Sequence, residues 1–301
     1  MPLTGDEIAR FFRVAPGDSV KLSDRHTGWA QTAELQELGK NAVKERAAEI
    51  LQSEQRELSA RQDLLYADNR YSLLLILQGM DASGKDGTIR HVMSGINPQG
   101  CRVTSFKTPS SEELDHTFLW RYTKCLPEHG CIGIFNRSWY EDVLIVRVHP
   151  EILARQQLPP GKRGRSFWQQ RYEDINAFEQ HLVRNGTKVI KILLNISKAE
   201  QKQRLLERLD RPEKHWKFQP GDVRERQYWD QYMEAYEEAL QATSTAYAPW
   251  YIVPADQKWV ARSIVASILA DALAQLDLRY PEISAAQQTE FAAARQVLLQ
   301  E

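Results

Sequence analysis

Three cysteines in 301 residues are few. Cys101, Cys125 and Cys131 form no CxxC pair and are odd in number, which argues against a disulfide framework or a zinc knuckle and suits a reducing compartment. Neither sign of charge dominates. With 39 basic and 40 acidic residues the formal net charge is −1, so nothing global draws the chain to nucleic acid or to an anionic membrane surface. A polyanion site would have to be local. Long apolar runs are missing too: none approaches the ~20 residues that span a bilayer. The first residues, MPLTGDEIARFFRV, lack the apolar core of a secretory signal. The seven histidines show no H-x-x-x-H or comparable ligand spacing, so each reads as structural, with only His91 and His116 near the motifs below. The expectation is a cytoplasmic globular protein with no membrane or nucleic-acid partner.

What is present is ample apolar content, 42% of residues, arranged in two alternating periods. Residues 1–30 carry Pro, Gly and Asp with little periodicity and read as an extended N-terminal arm on the surface. From Thr32 to Asp68 apolar residues recur at helical spacing, giving one long amphipathic helix or two. Tyr71–Gln78 is then a short, almost wholly apolar run, as expected of a strand buried on both faces of a parallel sheet. Comparable runs return at Cys101–Phe106, Cys131–Phe135, Val189–Ile196 and Trp250–Val253. Helical patterns fall between and after them, at Gly87–Gly95, Glu112–Cys125, Phe167–Val183, Lys198–Leu209, Asp222–Tyr247 and Lys258–Leu276. This alternation predicts an α/β fold with a mostly parallel five-stranded sheet flanked by helices. We expect a single domain over 31–280 with a basic helical lid near 198–226, and a helical tail over 281–301.

Gly79-Met-Asp-Ala-Ser-Gly84-Lys85-Asp86 follows the first of these strands and matches G-x-x-x-x-G-K, with Asp86 where Ser or Thr usually stands. Glycines let backbone N–H groups turn inward around phosphate oxygens, Lys85 reaches the transferring phosphoryl group, and the helix that opens here adds its positive end. Gly79, Ala82, Ser83, Gly84, Lys85 and Asp86 are therefore the expected phosphate cradle of a P-loop, rather than a glycine turn with a surface lysine. Losing the usual hydroxyl removes a familiar Mg²⁺ ligand. Asp81, a hard oxygen donor inside the loop, takes its place as first metal candidate, unless it merely caps the turn.

A second polar cluster, Asn136-Arg137-Ser138-Trp139-Tyr140-Glu141-Asp142, runs straight off another predicted strand, at the sheet edge where open α/β folds bind ligands. Asn136, Glu141 and Asp142 are the metal-supporting candidates there, with Asn136 and Glu141 preferred. Arg137 has the fork geometry to neutralise phosphoryl charge, or to pair with Glu141. Between Ala154 and Tyr172 lie five basic residues and no acidic one. From Lys198 to Arg226 nine basic residues face six acidic ones, with Arg204, Arg208, Arg211, Lys214 and Lys217 stepping along a helix and the loop after it, as in an arginine-bearing lid over phosphates. The aromatics Tyr228, Trp229, Tyr232 and Tyr236 recur at helical spacing and read as core packing. Together these parts specify phosphoryl transfer by positioning and charge neutralisation, with the acceptor open.

Several segments in order, GMDASGKDGTIRHVMSGINPQG (79–100), FKTPSSEELDHTFLWR (106–121), GIFNRSWYEDVLIVRVHP (133–150), LLERLDRPEKHWKF (205–218) and APWYIVPADQKWVAR (248–262), resemble the polyphosphate kinase 2 family. The resemblance implies a three-layer P-loop kinase-like fold and Mg²⁺-dependent transfer of the terminal phosphoryl group of inorganic polyphosphate to a nucleotide. It gives Asp81, Lys85, Arg137, Glu141 and Arg208 central roles. The branch acting on nucleoside diphosphates reads DRSWYNR at the second cluster. Here Glu141 and Asp142 follow Tyr140, as in the branch that phosphorylates AMP as well as ADP, although Trp139 departs from the histidine expected there. The implied partners are polyphosphate and adenine nucleotides, with guanine open, and long amphipathic helices toward both ends suit a homo-oligomer. The competing readings are an ATP-dependent nucleoside monophosphate kinase and a non-catalytic phosphate sensor.

Overall fold

The computed structural model describes residues 5–301. Five parallel strands, β1 (Ser72–Gln78), β2 (Cys101–Ser105), β3 (Ile132–Asn136), β4 (Thr187–Asn195) and β5 (Trp250–Pro254), form one sheet in the order β2-β3-β1-β4-β5. Parallel neighbours need crossovers, and each crossover here carries helix, so the sheet is covered on both sides. β1 lies at the centre and is buried along its whole length, which is why its sequence shows no alternation. The register sets Leu77 beside Asn136 and Gln78 beside Leu193, bringing the strand ends that carry both polar motifs together.

The labelled helices are α1 (Gly5–Phe12), α2 (Ala33–Leu38), α3 (Lys40–Asp68), α4 (Lys85–Val92), α5 (Arg165–Arg184), α6 (Lys198–Asp210), α7 (Trp229–Thr243), α8 (Lys258–Ala274) and α9 (Ala285–Leu298). One layer is built on α8, which packs against α1, α3 and α4; α5 and α7 pack together on the other face. α8 is apolar nearly all round and buried over most of its length, as such a helix must be. Among the described residues no helix is long and apolar enough to cross a membrane. The expected tail forms as α9, every residue of it exposed.

One alternative left open by the sequence is resolved, and two expectations change in detail. The region 32–68 is two helices, because Gly39 turns to a positive φ of 79° and ends α2. The expected helix over 112–125 is broken. Ser110 starts a single turn with a capping box, but Arg121 folds its guanidinium over the rings of Phe106 and Tyr122 and donates to Lys107 O, so only Ser111–Leu114 and Trp120–Thr123 stay helical. The segment 222–247 is likewise bent, into the short helix Pro220–Glu225, a tight turn at Arg226–Tyr228, and α7.

The largest correction concerns the N-terminus. The expected extended surface arm contains α1, and Ile8, Phe12, Val14, Val20 and Leu22 are all buried. Val14 N–H donates to Trp250 O at 2.8 Å, continuing hydrogen bonding past β5. Burial of this short apolar set, not periodicity, holds the segment. Phe12→Ala should therefore lower unfolding free energy by about 3 kcal/mol in a denaturant melt, against less than about 0.5 for a surface position.

Candidate functional site

The loop after β1 closes tightly. Gly79 sits at φ 149°, and a Cβ there would fall 2.8 Å from Ser83 Oγ and 2.9 Å from Leu194 O, so no other residue fits. Ala82 takes a left-handed φ of 62°, and Arg137, across on the strand end after β3, one of 68°. Non-glycine residues in that region cost roughly 1 kcal/mol or more each, and both positions flank one pocket. Within the loop Ser83 Oγ is buried without a hydrogen-bond partner, and α4 begins at Lys85 with its free N–H groups facing the same space. Lys85 Nζ donates to Gly79 O at 2.5 Å and Met80 O at 3.2 Å. Burial, and after it the Arg137 charge, pushes the Lys85 amine down to about 8.

Two carboxylates flank one guanidinium. Arg137 Nη2 meets Asp81 Oδ1 at 2.8 Å and Arg137 Nη1 lies 3.7 Å from Glu141 Oε2. Glu141 first, and Asp81 with it, drives the Arg137 guanidinium further up against the opposing effect of burial. The surface-pair alternative for Arg137 and the site reading therefore coincide: the pair exists, and it lines the pocket. Gln78 fixes the other side of Glu141. With its amide turned to satisfy both ends, its nitrogen donates to Glu141 Oε1 at 3.0 Å and its oxygen accepts from Ser138 N–H at 3.1 Å.

The remaining candidates separate by geometry. Asn136 Nδ2 donates to Asp86 Oδ1 at 2.7 Å, so the residue replacing the usual Ser/Thr is tethered to the neighbouring strand end, and Asn136 Oδ1 is not used by that bond. Asp142 turns inward instead. It accepts from Tyr122 Oη at 3.2 Å and from Gln156 Nε2 at 2.8 Å, lies 3.8 Å from Arg171, and is pushed up to about 6 by burial. It is a buried structural acid rather than a metal candidate. Arg171 is likewise withdrawn from the basic patch counted in the sequence: it is buried, donating to Asp142 O and Gln156. His91 and His116 bond to their own helix carbonyls, at Gly87 and Glu112.

Arg204 corrects the phosphate-ligand expectation. All five of its N–H donors are taken: Glu200 Oε1, Ala82 O, Ser83 O, Ala255 O and Asp256 O, at 2.6 to 2.9 Å. It braces the loop from behind, with no donor left over. Gln201 adds a bond to Asp81 O at 2.9 Å. Arg208 pairs with Asp222 at 2.9 Å. After burial, the Asp81 charge is what raises the Asp222 carboxyl most, so this lid pair faces the loop. Arg211 is exposed and pairs with Glu207 and Glu213; Lys214 pairs with Glu207 at 2.6 Å; Lys217 lies over the Trp216 ring, 4.8 Å from its centroid. Of the basic lid residues only Arg208 is brought toward the pocket.

The pocket also has a wall that sequence reasoning assigned to core packing. Asp81, Arg137 and Glu141 share it with Glu225, Tyr232 and Tyr236. Glu225 Oε2 is 2.8 Å from His149 Nε2 and accepts from Tyr232 Oη at 2.8 Å, which closes the lid's far end onto the site. Helical spacing could not separate a tyrosine that packs from one that packs and also faces a ligand.

Underneath, Glu179 accepts from Trp139 Nε1 at 3.1 Å, from Tyr140 Oη at 2.8 Å and from Lys191 Nζ at 2.5 Å, all buried. Trp139 and Tyr140 are thereby fixed, and with them the turn that presents Glu141.

With Lys85 losing its positive charge above about pH 8 in the empty site, kcat/KM for a polyanionic donor should fall as pH rises through that value. The fall in kcat should come at higher pH, because bound phosphate stabilises the protonated amine. Parallel pH profiles of kcat and kcat/KM check this; a kcat/KM plateau flat to pH 9.5 contradicts it.

Comparison with known proteins bears on the same residues. The family model described as Polyphosphate kinase 2 matches residues 41–281. The chain is 55% identical to an ADP-polyphosphate phosphotransferase of Rhodopseudomonas palustris, over 96% of this chain and 97% of that one. It is 48% identical to an AMP/ADP-polyphosphate phosphotransferase of Meiothermus ruber, over 79% and 85%. The crystal structure of polyphosphate kinase 2 from Arthrobacter aurescens TC1 superposes with a TM-score of 0.82 at 39% identity, covering 98% of both chains.

Proposed function

The chain belongs to the polyphosphate kinase 2 family, whose relatives phosphorylate nucleotides from polyphosphate, and we propose that this enzyme takes AMP as well as ADP as acceptor. One observation carries the proposal. Glu141 stands beside Arg137 and Asp81 at the pocket, held at its far oxygen by Gln78, at the position where a diphosphate-specific site has asparagine. The 48% identity to a relative named for both acceptors supports it.

In the reaction an oxygen of the acceptor's last phosphate bonds to the terminal phosphorus of polyphosphate, and the bridging P–O bond to the shortened chain breaks. The loop N–H groups, the start of α4 and Lys85 hold the transferring group, and Arg137 neutralises its charge. Lys85 must leave the carbonyls of Gly79 and Met80 to do so; both bonds are to neutral acceptors, which an anionic phosphate outcompetes.

Among the described residues no group of three or more His, Cys, Asp and Glu is arranged to hold a metal. Mg²⁺ does not require one, since it takes one or two carboxylates and completes its shell with water and substrate phosphates. Asp81 and Glu141 fit that need, with Asn136 Oδ1 as the further oxygen. Bound there, Mg²⁺ would supply charge neutralisation and a template for phosphate oxygens. The loss of both carboxylates from Arg137 would leave its guanidinium for phosphate. We read the acceptor base as adenine, with guanine open, the three free cysteines as fitting the cytoplasm, and the exposed α9 as fitting a homo-oligomer.

The deciding experiment compares Glu141→Asn with the wild type on AMP and ADP, each with polyphosphate or ATP as donor and Mg²⁺ present. AMP turnover from polyphosphate should fall at least about tenfold, roughly 1.4 kcal/mol of transition-state stabilisation, while ADP turnover stays within about twofold. Unchanged AMP turnover sinks the assignment, and turnover from ATP alone would favour a nucleoside monophosphate kinase.

A further inference from the structure

Among the described residues, the charged groups lining the pocket are three acids, Asp81, Glu141 and Glu225, and one base, Arg137. A wall for phosphates should not carry this balance unless each acid has a use or a counter-charge. Asp81 and Glu141 have both. Arg137 lies against each of them, at 2.8 and 3.7 Å, and they are the candidate ligands for Mg²⁺. Glu225 has neither. It arrives from the lid as the last residue of the short helix Pro220–Glu225, and among the described residues no lysine or arginine pairs with it.

What Glu225 does have is His149. The histidine sits between two single helical turns, Ile145–Val148 and Pro150–Leu153, on the chain that continues from the Glu141 turn. Its Nε2 lies 2.8 Å from Glu225 Oε2 and its Nδ1 3.0 Å from Glu151 Oε1. A carboxylate only accepts, so both contacts are hydrogen bonds when both ring nitrogens carry a proton, that is, when the ring is an imidazolium. The two acids differ in place: Glu225 faces the pocket, whereas Glu151 is 63% exposed. The ring itself is held edge-on to Tyr228, centroids 4.8 Å apart, and tilted against Tyr232 at 6.4 Å. Tyr232 Oη donates to the same Glu225 oxygen at 2.8 Å. Burial first, and Glu225 after it, push the Tyr232 hydroxyl upward, so its proton stays on oxygen and points at the carboxylate. Arg147, two residues before His149, is engaged by Glu238 and Tyr172.

We propose that His149 is a positioning residue that neutralises Glu225, so that the lid brings a carboxylate to the pocket wall without repelling the acceptor's phosphate. Glu151 holds the second ring proton from outside. The inference deepens the reading of this pocket as the transfer site and rests on it. With its charge balanced, Glu225 is a strut that ties the end of the lid to the chain after β3 and sets the Tyr232 hydroxyl. Without the imidazolium, the same carboxylate is a bare negative charge beside an incoming nucleotide.

The test compares His149→Gln, Glu225→Gln and the double variant with the wild type, varying ADP at saturating polyphosphate and Mg²⁺. His149→Gln should raise the KM for ADP roughly tenfold with kcat within about threefold, because binding weakened equally in ground and transition states appears in KM. Glu225→Gln alone should lower that KM about threefold, since the imidazolium is then unopposed. The double variant should return to within about threefold of the wild type, a recovery that a ring serving only to pack would not show. A double variant as weak as His149→Gln, or an unchanged KM in His149→Gln, overturns the proposal. So does a tenfold loss of kcat in Glu225→Gln, which would make that carboxylate a direct ligand of substrate or metal. Full turnover in Arg137→Ala would instead move the transfer site out of this pocket, and so remove the reading beneath the inference.

Discussion

Glu179 and Lys191 meet at 2.5 Å with neither side chain exposed, and the active edge of the sheet is hung on that pair. Removing two charges from water is costly, and the attraction between them repays it only when every remaining donor and acceptor is satisfied. Here that condition is met. Lys191 Nζ donates to Glu179, Tyr140 Oη and Thr243 O, and Glu179 also accepts from Trp139 and Tyr140. Burial raises the Glu179 carboxyl and lowers the Lys191 amine, and each is held back by the other's charge. The result is that α5, β4, α7 and the turn after β3 share one set of bonds. Glu141 and Arg137 lie on that turn, so the position of the candidate pocket follows from a pair that is not part of its lining.

A second fixed point lies on the opposite side of the loop. Arg204 ties α6 to the loop carbonyls of Ala82 and Ser83 and to the end of β5, while Gln201 takes Asp81 O and itself accepts from Arg226 at the lid's far end. The root of the lid is thus part of the loop's scaffold. What remains adjustable lies beyond it, in the segment from Arg208 to Glu225, attached by Arg208–Asp222 and by Glu225 to His149 and Tyr232. Rigidity at the proposed phosphate loop and looser attachment in the segment above it are what a transfer reaction that excludes water would need.

The parts of this arrangement that a sequence can display are those made by neighbours along the chain. The glycine-rich loop was legible because the strand, its glycines and Lys85 lie within 72–85, one contiguous stretch of chain. The strands were legible because each is short and, apart from the exposed edge strand β2, largely apolar. Arg204 was read as a ligand because its spacing from Arg208 and Arg211 is helical, and spacing says nothing about the four backbone acceptors supplied by residues about 50 and 120 positions away. Asp142 could not be told from Glu141, one position apart, until the turn sent one inward to Tyr122 and Gln156 and the other to Arg137. The N-terminal segment was read as an arm because α1 is too short to show a convincing period; its burial depends on β5 and α8, more than two hundred residues distant.

By itself, then, the sequence determined the sheet, its parallel sense, the glycine-rich loop after β1 and the family, since local periodicity and contiguous motifs encode all of these. Only the tertiary structure decided which charged groups face the ligand and which hold the frame. A carboxylate or guanidinium has the same chemistry in either role, and what separates the two is whether its hydrogen-bonding capacity is consumed by groups that the fold brings from far along the chain.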